Sequence, residues 1–401
     1  MTDTVFDEAA GVFARQISTF DLGDHSYVVV VGDRAAVIDP QRDVERFDDA
    51  LSETGARLVA VFETHMHNDY VAGGRILADR HGATCYVLAG SEATFEHEAP
   101  SDGDRVAIGE WQLAAMLTPG HTPTHTSYCL LSPAGEAVAV FSGGSMLVDA
   151  IGRSDLLGPD LAGGLARQQF HSGHRLVGEL PDAASGQPTH GAGSFCAITT
   201  TGDGTRSTIE RERLQNPVLT AADEDSFVQE QLAGATLFPA YYARMAPLNR
   251  AGPGPIVDAP LPRLSPDELA AVDDATWVVD VRISLLVGAG HFPGSTNVPA
   301  SDDLDAYVGW IVPWGASIVL VTSDDAELAQ AASYWGASVS TRSLPRSRTT
   351  SRCGPRRDVR SPATGWRTSR RWRRSTRRSS SMSATRSRWR RRRCRARSTC
   401  T

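Results

Sequence analysis

Thr64-His65-Met66-His67-Asn68-Asp69-Tyr70 is the stretch on which the reading of this 401-residue chain turns. It follows residues 58–63, an apolar run that predicts a strand, and precedes a segment whose Ile76 and Leu77 predict a helix closing near Gly82. Two histidines at i and i+2 in the loop between point their imidazoles to one side, and Asp69 opens the helix. Borderline divalent metals favour imidazole nitrogen, with carboxylate oxygen as its complement. Two more histidines recur after strand ends: His121 in Thr118-Pro119-Gly120-His121-Thr122, and His190 in Pro188-Thr189-His190-Gly191. A lone loop histidine is usually an ordinary polar residue. Four after strand ends, two of them in one T-H-x-H-x-D frame, point to a metal site. His81, His97, His125, His171 and His174 match no ligand position and are expected to be surface or structural residues.

Outward from this loop, residues 27–31 and 35–38 read as a hairpin about Gly32-Asp33-Arg34, and residues 126–131 and 137–141 as another about Ser132-Pro133-Ala134-Gly135. Further strands are expected over 85–88 and 111–117. Strands gathered in hairpins, with helices between and after them, predict an α+β domain over residues 1–245: two mainly antiparallel sheets with helices packed outside. Residues 246–262, rich in proline and glycine, read as a linker. A short helix at 265–272 and buried strands at 277–281 and 317–321 then predict a small α/β module with a parallel sheet over 263–341.

Composition is ordinary for a globular protein, 41% hydrophobic and 22% charged. No apolar run approaches membrane-spanning length, and residues 1–16 lack the apolar core of a signal peptide, so a cytoplasmic protein without a membrane partner is expected. The six cysteines (85, 129, 196, 353, 394, 400) support neither a disulfide framework nor a zinc knuckle. The net charge of −7 hides an asymmetry: residues 342–401 hold 22 arginines and one acid, Asp358.

The T-H-x-H-x-D frame with later His121 and His190 resembles the metallo-β-lactamase superfamily over about residues 13–234, and within it the glyoxalase II and persulfide dioxygenase group. Gly152-Arg153-Ser154-Asp155-Leu156 looks like that group's GRTD segment, and Glu210-Arg211-Glu212-Arg213 with Asn216-Pro217 like its C-terminal helix ending. The resemblance implies an αββα sandwich and a metal-dependent hydrolase or oxygenase of sulfur metabolism. Two departures bear on the site. Tyr70 stands where the family has its second-metal histidine, and Gly144, in Phe141-Ser142-Gly143-Gly144-Ser145, stands where it has an aspartate. That leaves one divalent metal, zinc or iron(II), on His65, His67 and His121, with Asp69 and His190 as catalytic or supporting groups. An iron(II) site would keep His65 and His121 and lack its carboxylate. Restoring aspartate at 144 is expected to strengthen metal binding, unless the backbone has adapted to the two glycines so that a side chain would clash. Persulfide oxidation or thioester hydrolysis of a small thiol compound is the implied activity. A catalytically impaired scaffold or a protein that binds sulfur compounds is the alternative. No specific nucleic-acid partner is expected, and the oligomeric state stays open, a homodimer being one option.

Val278-Val279-Asp280-Val281-Arg282 and Gly290-His291-Phe292-Pro293-Gly294-Ser295-Thr296-Asn297-Val298-Pro299 resemble the rhodanese family's DVR and GHIPGA-N-P segments. That family carries a catalytic cysteine after its next buried strand, where this chain has Thr322-Ser323-Asp324-Asp325 and no cysteine anywhere from Ala197 to Arg352. The arginine-rich tail, 342–401, reads as disordered. GC-rich codons shifted by one base turn residues 380–400 into a second VDVR…VPGA string, so the tail also reads as out-of-frame translation. Hydroxyls cannot hold a persulfide. Thiosulfate:cyanide sulfurtransferase assays should therefore give only background thiocyanate; turnover that survives replacement of Cys85, Cys129 and Cys196 would contradict the need for a thiol.

Overall fold

Alternation along the strands builds two sheets. In the computed structural model, residues 2–20, 22–198, 204–255, 263–301, 303–338 and 348–351 are described. The first sheet runs β1 (Thr2–Asp7), β2 (Val12–Thr19), β3 (Asp24–Val31) and β4 (Arg34–Ile38) as antiparallel neighbours. Beyond α1 (Glu45–Thr54), β5 (Arg57–Glu63) joins β4 in parallel, and beyond α2 (Gly74–His81), β6 (Thr84–Val87) joins β5 in parallel. Gly32, at φ +59°, makes the tight β3–β4 turn that an L side chain would resist.

The second sheet has the order β12-β11-β10-β9-β8-β7, from β7 (Arg105–Ile108), β8 (Trp111–Leu117), β9 (Thr126–Leu131), β10 (Ala137–Gly143), β11 (Ser185–Pro188) and β12 (Ser207–Thr208). Helix α3 (Pro159–Glu179) connects β10 to its parallel neighbour β11, and α4 (Ile209–Gln215), α5 (Pro217–Thr220) and α6 (Glu224–Ala233) follow β12.

Period-two alternation of side chains between the two faces explains the layers, and β3 and β9 are buried on both. Tyr27, Val29 and Val31 of β3 face Tyr128, Leu130 and Phe141 of the second sheet, while Val28 and Val30 face Phe47 of α1 and Leu77 of α2. On the far side, Cys129, Leu131 and Val140 pack on Leu176 and Val177 of α3. The result is helix, sheet, sheet, helix, as expected. Each fully buried valine or leucine in these layers contributes roughly 1.5–3 kcal/mol.

The expected linker needs correction. Residues 246–251 belong to α7 (Tyr242–Ala251), and Asn249 is 3% exposed. Its amide donates to the carbonyls of His67 and Tyr70, both at 3.0 Å, and its Oδ1 accepts from the N–H of Ala72 at 2.9 Å. Arg75 donates to the carbonyl of Gly252, and Arg42 to those of Gly254 and Pro255. This stretch straps the loop that follows β5. Residues 256–262 lie outside the described residues.

The C-terminal α/β module begins at α8 (Pro266–Ala270), capped by a reciprocal Ser265–Glu268 box. Strands β13 (Trp277–Asp280), β14 (Thr296–Asn297), β15 (Ile318–Thr322) and β16 (Arg348–Ser351) form a parallel sheet of order β14-β13-β15-β16, with α9 (Ser284–Ala289), α10 (Leu304–Ile311) and α11 (Asp325–Ser338) between them. Arg282 pairs with Asp280 through both carboxylate oxygens, and Asn297 donates to the carbonyls of Asp280 and Arg282, so the two sequence motifs interlock. Arg348–Ser351 lies inside the segment expected to be a disordered tail and instead extends this sheet; the rest of residues 342–401 is outside the described residues. Among the described residues, no helix is long and apolar enough to cross a membrane.

Asn249 closes a loop that carries two histidines, and truncating it leaves two buried carbonyls and one half-buried N–H without this partner. Asn249→Ala should lower unfolding free energy by about 3 kcal/mol, measured by urea denaturation; a loss below about 1 kcal/mol would argue against the strap.

Candidate metal centre

The ends of β4, β5, β8, β10 and β11 meet at one edge of the sandwich. Asp39 follows β4, His65 follows β5, His121 follows β8, Gly144 follows β10, and His190 follows β11. His65, His121 and His190 are at most 3% exposed and offer ligand atoms that all lie within 4.8 Å of one another. Nε2 of His65 and Nε2 of His190 are 3.4 Å apart, and Nε2 of His121 is buried without a hydrogen-bond partner.

Each ring is anchored through its other nitrogen. His65 Nδ1 lies 2.9 Å from Thr64 Oγ1, which donates to Asp39 Oδ2 at 2.7 Å. His121 Nδ1 donates to the carbonyl of Arg153 at 2.7 Å, and His190 Nδ1 to Asp24 Oδ1 at 2.8 Å. With the proton on Nδ1, the lone pair on each Nε2 faces its neighbours. Burial, followed by the other histidines, pushes the pKa of His65 and His121 well below the usual imidazole range, and burial lowers that of His190. Three neutral imidazoles with inward lone pairs, one of them orphaned, fit a divalent metal.

His67 is placed differently. Its Nε2 lies 3.2 Å from Asp39 Oδ1, 3.3 Å from Glu63 Oε2 and 3.0 Å from the Tyr70 hydroxyl, and its ring stacks on Tyr70 at 4.3 Å. Burial opposes a charge there, but Asp39 and Glu63 outweigh it and raise the His67 pKa to about 10. In this arrangement His67 Nε2 is held by both carboxylates, and its Nδ1 is buried without a hydrogen-bond partner. It still stands near Asp39 and His65 as a second cluster of ligand-type atoms. The structure thus brings His65 and His121 together with His190, which the sequence reading had placed among the catalytic groups rather than the ligands. His125, expected to be surface or structural, is fully buried: its Nδ1 lies 2.9 Å from Thr118 Oγ1, its Nε2 accepts from the N–H of Gly144, and its ring stacks on His65.

Glycine at 143 and 144 is a packing requirement. Gly143 sits at φ +56°, and a Cβ there would come within 2.6 Å of Thr64 Oγ1. At Gly144 it would lie 2.6 Å from His121 Cγ and 2.8 Å from His121 Nε2. The ring of His121 occupies the space of the missing side chain, which overturns the expectation that aspartate at 144 would help.

Beyond His190, Asp69 Oδ2 lies 3.3 Å from His190 Nδ1 and accepts from Cys196 Sγ at 3.2 Å, while Asp69 Oδ1 has no partner. Burial raises the pKa of Asp24 to about 7 and that of Asp69 to about 6. Asp24, Asp39, Glu63 and Cys196 were not singled out from the sequence. Strand ends followed by a buried acid were the available signal for Asp39, and nothing in the local pattern marks Cys196. The conspicuous Arg153 is fully buried: its side chain donates to Asp155 and to the carbonyls of Phe195 and Thr236, and its N–H to the carbonyl of Cys196. It fixes the carbonyl that orients His121.

The αββα sandwich carries a histidine cluster at its strand ends, and residues 21–184 match the model of the Metallo-beta-lactamase superfamily. The chain belongs to that superfamily. Persulfide dioxygenase ETHE1, mitochondrial, of Bos taurus is 30% identical over 224 residues, 54% of this chain and 79% of that protein. Hydroxyacylglutathione hydrolase of Gloeobacter violaceus is 34% identical over 163 residues, 39% of this chain and 60% of the relative. Among solved structures, a metallo-beta-lactamase from Staphylococcus aureus subsp. aureus COL aligns with TM-score 0.74 and 25% identity, over 85% of this chain and 99% of its own. ETHE1 from Myxococcus xanthus aligns with TM-score 0.51 and 27% identity, over 59% and 98%.

Gly144→Asp should displace His121 and weaken metal affinity by about 10–100-fold, read by competition with a chelator. Equal or tighter affinity in a folded variant would mean that His121 is not a ligand.

Proposed function

We propose that this chain is a metal-dependent enzyme acting on a sulfur-linked small molecule, with thioester hydrolysis the reaction its site geometry favours. The observation that carries it is the convergence of three neutral imidazoles, His65, His121 and His190, with no carboxylate among them. Three nitrogen donors and an open fourth position suit a hydrolytic zinc site. A metal held there supplies Lewis acidity and a water of lowered pKa.

The chain's own groups divide the remaining work. Asp24 holds the proton on His190 Nδ1 and so keeps that ring's lone pair inward. Arg153, through its carbonyl, does the same for His121. Asp69, with one oxygen free, is placed to accept a proton from a water and to orient it. His67, paired with Asp39 and Glu63, sets the loop and contributes positive charge beside the site.

Persulfide oxidation is the second reading, favoured by the larger share of the ETHE1 relative that this chain spans. The C-terminal module, which carries rhodanese-like motifs without the cysteine, is read as structural or docking.

The test loads the full chain separately with zinc and with iron(II). Thiol release from a glutathione thioester by the zinc form supports hydrolysis, and oxygen uptake with glutathione persulfide by the iron form supports oxidation. Neither activity in a protein that retains its metal would leave the scaffold alternative standing. His190→Ala should reduce the observed rate at least about 100-fold; an unchanged rate would remove His190 from the site.

A further inference from the structure

Where the C-terminal module meets the residues about α7, a cleft of about 370 Å³ opens beside α10. Tyr241 and Arg244 line it from the first side, and Trp310, Pro313, Trp314 and Ile318 from the module. None of His65, His121 and His190 takes part. Ile318 opens β15, whereas residues 322–325 lie at the other end of that strand, about 13 Å away. The cleft is therefore not the place where the rhodanese family holds its cysteine.

Packing fixes the shape of this cleft. Helix α10 lies so close to Tyr241 that a Cβ at Gly309 would come within 2.8 Å of the ring. Trp310 sets its ring against Phe195, with centroids 5.6 Å apart and planes at 70°. Trp314 packs on the core that holds Tyr241, Tyr242 and Cys196. These contacts anchor both tryptophans, yet each stays only half-buried. Their rings and that of Tyr241 offer flat apolar surface of the kind that takes a planar group. Of the lining residues Arg244 alone is charged. It is exposed, and among the described residues its guanidinium has no hydrogen-bond or ion-pair partner. An unpaired guanidinium beside aromatic rings suits a carboxylate carried on a flat apolar body. The volume lies within the usual range of small-molecule sites, about 300–1,000 Å³, which often form at junctions of this kind.

We propose that this cleft binds a small aromatic carboxylate, its ring against Trp310 and Trp314 and its carboxylate on Arg244, independently of the metal centre. The site exists only where the two parts of the chain meet, since the module supplies the tryptophans and α7 supplies the arginine. A module without the sulfur-transfer cysteine thereby contributes half of a ligand site.

The full chain is titrated with 2-naphthoate by calorimetry, once loaded with zinc and once stripped of metal. The expected result is one site of equal affinity in both forms, with the neutral 2-naphthamide bound at least about 10-fold more weakly. Arg244→Gln, at an exposed position that the fold does not depend on, should weaken naphthoate binding at least about 10-fold and leave that of the amide unchanged. Trp314→Phe should weaken both. No binding to either form, equal affinity for acid and amide, or unchanged naphthoate affinity in Arg244→Gln would overturn the proposal. Binding confined to the zinc form would place the carboxylate on the metal and overturn it as well. A chain that holds no zinc yet binds naphthoate with this pattern would overturn the three-histidine reading and leave this one intact.

Discussion

The buried carboxylate of Asp39 joins the two sheets at the edge where the histidines emerge. It stands at the end of β4 with φ +50°, a left-handed conformation that aspartate tolerates better than most residues. Such a backbone costs about 1–3 kcal/mol and persists where the surroundings over-determine it. Here they do. Oδ1 accepts from the N–H of Thr64 at 2.7 Å, Oδ2 accepts from the hydroxyls of Thr64 and Thr189, and His67 pairs with the same group. Thr64 precedes His65 on the first sheet and Thr189 precedes His190 on the second. One carboxylate therefore fixes the separation of two candidate ligands that lie 125 residues apart in the chain. Its pKa stays below the usual carboxylate range: burial would raise it, and the charge of His67 together with these hydrogen bonds more than compensates.

That arrangement divides the histidines by charge. A group of buried imidazoles close together cannot all be protonated, and the carboxylates decide which one is. His67 faces Asp39 and Glu63 and takes the proton, while His65 and His121 have mainly other histidines and neutral groups around them and give theirs up. The i and i+2 spacing that suggested a shared metal puts the two rings 4.1 Å apart, tilted at 51°. Their nitrogens nonetheless serve different partners. Tyr70 reinforces the division, since its ring stacks on His67 and its hydroxyl lies on the nitrogen that faces Asp39.

Much of the sandwich was legible because its strands are apolar, β-branched runs and its turns carry glycine. The Tyr27–Val31 stretch, the turn at Gly32 and the return through Ile38 fall in β3 and β4 as read, and Ile76 and Leu77 lie on α2. The T-H-x-H-x-D frame falls in the loop after β5 that brings His65 into a cluster of ligand-type nitrogens, since residues able to hold a metal leave a strong local pattern. What the sequence could not carry is which way each ring turns. That depends on Asp24, Asp39 and Glu63, acids from three different strands whose adjacency exists only in the folded chain. Gly144 shows the same limit: as a missing ligand it suggested a gap to refill, whereas the ring of His121 already fills it.

The misplaced linker has the same origin. Proline and glycine mark irregular backbone, and irregular backbone is not always a tether. The loop from Thr64 to Ala72 has little regular structure of its own, so its carbonyls need donors from elsewhere. Asn249 supplies two and accepts from Ala72, across 177 to 182 residues of chain. Arg42 and Arg75 answer by holding the carbonyls of Gly252, Gly254 and Pro255. Gly252, at φ +68°, packs where a Cβ would strike Phe95 and Arg75. Small and irregular residues are what allow the strap to lie flat against the site. The composition that reads as a flexible connection is therefore the composition that close packing requires, and the histidine loop and the residues beyond α7 are one structural unit.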